Sequence, residues 1–292
     1  MSSFLEKLKE SKKLNEEIKA RKEHFVSRLK EYAVNNVKGF LSRQNKCAED
    51  FKEYNEAYST NQSPFIESIL DDSDMKKCID FACEYDYEKA LDRKMQNYPQ
   101  VFEDALNGNN DAFEELLENL EKVMLDNIAG KIGELVVMKS LRSNGIETTE
   151  PDFNIYDNIE KSFDSDIRMN GNHGISIKTF RLYGDIPVSW MFQFKDRNGN
   201  SGTDNHFCGD DDSVRNGEWF CGVILGTDWK RGRIVSMIPM QVLFDNRAIL
   251  YEMPQIKRLC DTKRAIYWRT LRDNDFLKYS NMLLENIQRE KR

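Results

Sequence analysis

No run of 18 apolar residues occurs anywhere in the 292-residue chain, so a membrane-spanning helix is not expected. The opening MSSFLEKLKESKK lacks the apolar central stretch of an export signal, and a cytoplasmic protein is expected. Histidine is scarce, with three in the chain. The six cysteines (Cys47, Cys78, Cys83, Cys208, Cys221 and Cys260) stand apart, with no C-x-x-C pair. In a cytosolic chain these read as reduced thiols rather than a disulfide framework. Zinc is a poor fit: Cys208 lies two residues from His206, but no second pair accompanies them. There is no internal repeat and no low-complexity segment.

What is present is charge, and it is segregated. The net charge is −7, which does not advertise a nucleic-acid partner. Residues 1–46, however, carry 12 basic side chains against 6 acidic, and residues 47–126 carry 7 against 21. Residues 256–292 return to 10 basic against 5 acidic. Basic ends around an acidic block leave DNA binding open, because a local field and not the global balance meets a phosphate backbone.

Along the chain, residues 3–58 read as a long charged helix with a broken apolar stripe through Leu8, Ile18, Phe25 and Leu29. Residues 65–126 add two or three shorter helices, interrupted by Asn107-Gly108-Asn109-Asn110. Residues 1–124 are therefore expected to form an all-helical recognition, dimerisation or regulatory domain. From residue 125 the texture changes to helix, strands and glycine turns. Strands are expected at Ser189–Lys195, Trp219–Gly226 and Arg233–Met240, and a basic, aromatic helix from Gln255 to the end. The expected class is α+β, with the second domain spanning 125–292.

The most informative stretch runs from Lys131 to Phe180. Its opening, GKIGELVVMKSL, has Ile132, Leu135, Val136, Met138 and Leu141 at helical spacing and carries Glu134. After EPDF comes SFDSDIRMNGNHGISIKTF, read as two antiparallel strands closed by a turn over residues 170–174. Alternation puts Asp164 and Asp166 on one face of the first strand and Ser176, Lys178 and Phe180 on one face of the second. In such a pair, Asp166 and Lys178 can border one cleft. A lysine at position 178, between Ile177 and Thr179, needs a partner or a route to water.

The order Glu134, Asp166, Ser176-Ile177-Lys178 resembles the PD-(D/E)XK nuclease superfamily. GKIGELV, EPDF and GISIKT look most like the branch that contains the mismatch-repair nicking endonuclease and related restriction enzymes. The resemblance covers residues 125–240 and implies a restriction-endonuclease-like mixed sheet flanked by helices. It also implies a Mg²⁺-dependent endonuclease of double-stranded DNA, with Mn²⁺ as a substitute, in a restriction-type or phage-type role. Asp166 would be the main metal ligand, with Glu134, Asp164 and the Ile177 carbonyl completing the protein's share. Lys178 would orient or deprotonate the attacking water. A homodimer is a natural way to reach both strands.

One position departs from that pattern. The family carries Asp or Glu two residues before the lysine, where this chain has Ser176, a neutral and weaker Mg²⁺ ligand. Asp164 or Asp152 could supply the missing charge. Gln193-Phe194-Lys195, preceded by Asp185, is a second register for the motif. The departure also keeps open a degenerate nuclease fold that binds DNA, or a protein through its acidic helices. Lys230, Arg231 and Arg233 in a turn, and Lys263, Arg264 and Arg269 near the C-terminus, are the expected phosphate contacts.

Overall fold

A computed structural model describes residues 51–60, 63–85, 99–154, 165–170, 173–182, 187–193, 218–245, 251–252 and 263–290, with individual residues between 16 and 39. It divides into two compact units. One comprises Met1–Arg43 with Ala82–Asp126, and the other Gln44–Phe81 with Asn127–Arg292. The described residues between 16 and 39 are all helical, as the apolar stripe predicts.

The elements in chain order are α1 (Lys52–Tyr58), β1 (Ser68–Ile69), α2 (Asp72–Glu84), α3 (Pro99–Leu106) and α4 (Asn110–Ser143). There follow β2 (Ile167–Met169), β3 (His173–Phe180), β4 (Ser189–Gln193), β5 (Trp219–Leu225) and β6 (Arg231–Pro239). The remainder is α5 (Met240–Asp245), β7 (Tyr251–Glu252), β8 (Lys263–Tyr267), α6 (Trp268–Asp273) and α7 (Lys278–Glu290). The class is mixed helix and sheet, in line with α+β.

In the first unit, Phe102 and Ala105 of α3 are buried, as are Leu116, Leu117 and Leu120 of α4. Lys30 donates to the Tyr85 carbonyl at 2.9 Å.

The second unit holds the sheets. Five strands run in the order β1-β6-β5-β3-β2, and three more form β4-β8-β7. In the larger sheet β3 and β5 are parallel while the other pairs are antiparallel. Between the sheets lies an aromatic core of Phe180, Trp190, Phe192, Phe220 and Trp268, closed by Tyr54 and Ala57 of α1. Trp190 and Phe220 meet edge to face at 5.7 Å, and the Trp190 indole N–H donates to the Val223 carbonyl at 3.2 Å.

Three readings of the sequence need correction. Residues 44–81 belong to the sheet-bearing unit, because Tyr54 and Ala57 fill its core and β1 pairs with β6. The first 120 residues are accordingly not all helical. Lys263–Tyr267, expected as helix, is strand β8, held between β4 and β7. Ladder hydrogen bonds on both sides, and burial of Ala265 and Ile266, outweigh a helical propensity worth a few tenths of a kcal/mol per residue.

The helix expected to carry Glu134 is the second half of α4. Ile132, Leu135, Val136, Met138 and Leu141 are all buried. Its seat on the sheet is set by Gly133: a Cβ there would come within 1.9 Å of Thr179 Oγ1 on β3. Only hydrogen at position 133 lets the helix lie this close to the strand that bears Lys178.

Candidate active site

β3 is the strand on which the site depends, and its two faces differ. Thr179 meets α4 through Gly133, whereas Phe180 enters the aromatic core. By alternation Ser176 and Lys178 share the core face with Phe180. The contacts agree: Lys178 Nζ lies 5.3 Å from the centre of the Phe192 ring. An ammonium over an aromatic face gains about 0.5–2 kcal/mol, the larger figure where water is excluded. Lys178 is half-buried and Ser176 is buried. The register sets Ser176 beside Phe220 and Lys178 beside Gly222 of β5.

Asp166 stands at the entry to β2, where the chain parts from β3. Its N–H donates to the Ile175 carbonyl at 3.1 Å, and its Oδ2 accepts the Ile177 N–H at 2.6 Å. In an extended strand a residue's N–H and C=O point to the same side, so the Ile177 carbonyl is directed toward Asp166 as well. The carboxylate thus meets the β3 main chain one residue ahead of Lys178. No described residue donates a hydrogen bond to the other carboxylate oxygen, Oδ1. The nearby Cys221 thiol is pushed far up, first by burial and then by the Asp166 charge.

Glu134 has a different setting. Lys131 Nζ donates to both its oxygens, at 2.7 and 3.0 Å, with about a tenth of either side chain exposed. The same ammonium donates to the Asp152 carbonyl at 2.6 Å and lies 4.9 Å from the Phe81 ring and 5.4 Å from the Phe153 ring. Phe81 and Phe153 themselves meet edge to face at 6.0 Å. Burial, then the charges of Glu134 and Asp74, push the Cys78 thiol up to about 12. The carboxylate expected beside the metal therefore anchors Lys131, which ties the Pro151-Asp152-Phe153 segment to α4.

Asp164, Asp185, Lys195, His206 and Cys208 lie outside the described residues, so the second register at Gln193 and the extra acid at 164 have no described geometry. Asp152 is described: it is exposed and folded on itself, accepting from the Asn154 N–H at 2.9 Å. Among the described residues, no three of His, Cys, Asp and Glu gather closely enough to hold a metal ion. Among the described residues, Asp166 and the Ile177 carbonyl are oxygens on adjoining strands that could serve a hard cation. Mg²⁺ commonly takes one or two carboxylates and keeps several waters, which such a set would satisfy.

The expected phosphate contacts are divided. Lys230 pairs with Asp72 at 2.7 Å and Arg231 with Asp228 at 2.8 Å, each of which holds the cation's pKa up through the hydrogen bond and the charge. Arg233 donates to the Tyr58 carbonyl at 2.7 Å, and Arg269 to Glu53 at 2.6 Å. Lys263 and Arg264 are half-buried on β8 opposite Gln193 and Phe192. Lys230, Arg231, Arg233 and Arg269 thus already serve the fold, and exposed pairs of this kind contribute only about 0–1 kcal/mol.

Residues missed by the sequence reading are Lys131, Phe192 and the Ser165–Glu218 pair. Lys131 was legible, since a lysine three positions before Glu134 on a helix faces it. Phe192 and Glu218 had no local signal, because each reaches β3 through tertiary folding. Compared with known proteins, the chain matches no family model, no curated protein and no solved structure.

Proposed function

We propose that this chain is a Mg²⁺-dependent endonuclease of double-stranded DNA with a restriction-endonuclease-like core in its second unit. The observation that carries the reading is the meeting of Asp166 with the main chain of Ile177, immediately before Lys178. An acid, a carbonyl and a lysine at the parting of two strands form a site for metal-assisted phosphodiester hydrolysis. Asp166 and the Ile177 carbonyl would hold the cation, which supplies charge neutralisation and acidifies a bound water. Lys178, held over Phe192, would bring its ammonium to the phosphate oxygens as negative charge builds and orient the attacking water. Ser176 adds a hydroxyl and no charge. Homodimerisation would bring two such sites to opposite strands.

Cleavage of mixed plasmid and phage DNA with Mg²⁺ or Mn²⁺ tests this reading. Wild type should give discrete fragments that vanish in Lys178→Ala and Asp166→Ala. If all three proteins are inert, the nuclease reading fails.

A second reading has specific support. Ser176 is buried and neutral, and Glu134 is committed to Lys131. A nuclease fold that has lost metal binding and grips DNA or a protein would show the same two features. It predicts no measurable Mg²⁺ or Mn²⁺ affinity together with retained partner binding.

A further inference from the structure

We infer that Glu218 is a positioning residue for Asp166, acting through Ser165 across the bare backbone of Gly174. The consequence for metal binding rests on the nuclease reading above; the geometric part does not. β3 pairs in parallel with β5 from Ile175–Trp219 onward, so Gly174 and Glu218 stand side by side just before that ladder begins. The Glu218 carboxylate folds over Gly174: a Cβ there would meet Oε1 and Oε2 at 2.3 Å each, and Ser165 Oγ at 1.8 Å. Ser165 Oγ donates to Glu218 Oε2 at 2.8 Å. The next residue is Asp166, whose Oδ2 takes the Ile177 N–H.

The main chain of residue 218 is fixed too, since its carbonyl accepts the Met240 N–H at 2.9 Å. Glu218 is thus tethered to β6's end by its backbone, and it pins Ser165 by its side chain. β2 contributes only three residues, Ile167–Met169, so its ladder alone holds the preceding Ser165-Asp166 dipeptide weakly. The clamp over Gly174 adds a side-chain restraint at Ser165 to the two hydrogen bonds that Asp166 makes with β3, from its N–H to the Ile175 carbonyl and from the Ile177 N–H to its Oδ2.

The test uses the full chain and two readouts. Amide exchange followed by NMR reports the Ile177 N–H directly, with Ile224 of β5 as an internal reference. Glu218→Ala and Ser165→Ala should each speed Ile177 exchange about ten-fold relative to Ile224, as loss of a local restraint does. Glu218→Gln, which can still accept from Ser165, should stay near wild type. Calorimetric Mn²⁺ titration should show affinity about ten-fold weaker in both alanine variants and near wild type in Glu218→Gln, the scale at which residues supporting a metal ligand act. Ile177 exchange unchanged in both alanine variants overturns the inference. Wild type that neither binds Mn²⁺ nor cuts DNA overturns the nuclease reading, while the exchange result still decides the clamp. Should Glu218→Ala fail to fold, Ser165→Ala, which removes a single hydroxyl, decides it.

Discussion

Glu134 and Asp166 are both carboxylates in the motif, yet the fold treats them differently. Glu134 is buried, and a lysine three residues back occupies both its oxygens. Asp166 accepts a main-chain N–H on one oxygen, and no described residue donates to the other. The first is a closed pair whose charge is already neutralised within α4. The second is an open acid at the parting of two strands. Acid type and order along the chain therefore do not by themselves assign a metal ligand; the nearest cation does.

This contrast is sharpest in activity. Asp166→Asn preserves shape and removes charge, and cleavage in the plasmid assay should fall by roughly 10³-fold, the scale of several kcal/mol of transition-state stabilisation. Glu134→Gln should leave Mn²⁺ affinity near wild type in calorimetry. A loss of affinity there equal to that of Asp166→Asn would return Glu134 to the metal and end the distinction.

Stability should show the reverse order. Glu134→Gln leaves Lys131 buried without its counter-charge, at a cost of about 3 kcal/mol in urea unfolding. Replacing both partners, Lys131→Met with Glu134→Leu, should recover most of that loss, because a buried pair exchanged for apolar groups is often neutral. Asp166→Asn should cost less than 1.5 kcal/mol, since it leaves one main-chain hydrogen bond weakened and not a buried charge unpaired.

The seat of α4 gives a smaller effect. Gly133→Ala drives a methyl into Thr179 Oγ1, on a β-branched side chain with little freedom to turn away. Overpacking of this kind costs about 1–3 kcal/mol. The Thr179 hydroxyl is buried without a hydrogen-bond partner among the described residues. Thr179→Ala should therefore relieve the clash, and a double-mutant cycle would show coupling between the two sites. Independent, additive losses would mean that the helix does not rest on Thr179.

A pH dependence gives a further test of burial in the second unit. The folded-state Cys78 pKa, about 12, lies above that of an unfolded thiol. The folded state thus holds its proton more tightly. Its contribution is fully present below the unfolded value of about 8.5 and is lost as pH rises toward 12. The urea midpoint of wild type should fall between pH 8.5 and 11 more steeply than that of Cys78→Ala. Parallel curves would show that burial of Cys78 is lost before titration begins.

Much of this was open to a reader of the chain alone. The helical spacing of Ile132 through Leu141 specified the helix and five of its buried residues, while Glu134, Val137 and Ser140 are buried beside them. The alternation of GISIKTF placed β3 and put Ser176, Lys178 and Phe180 on one face, and the apolar runs at 189, 219 and 233 marked three further strands. The tertiary structure alone decided what those faces met. Lys263–Tyr267 became a strand because β4 and β7 bond it on both edges, a matter of partners distant in the chain. Residues 44–81 joined the sheets because Tyr54 and Ala57 fit the aromatic core. Glu218 reached Ser165 across 53 positions because parallel pairing of β3 with β5 set it beside Gly174. Local patterns set the period of each element and the Lys131–Glu134 pair on α4; what meets Asp166 and Ser165 depends on strands brought together only when the sheet forms.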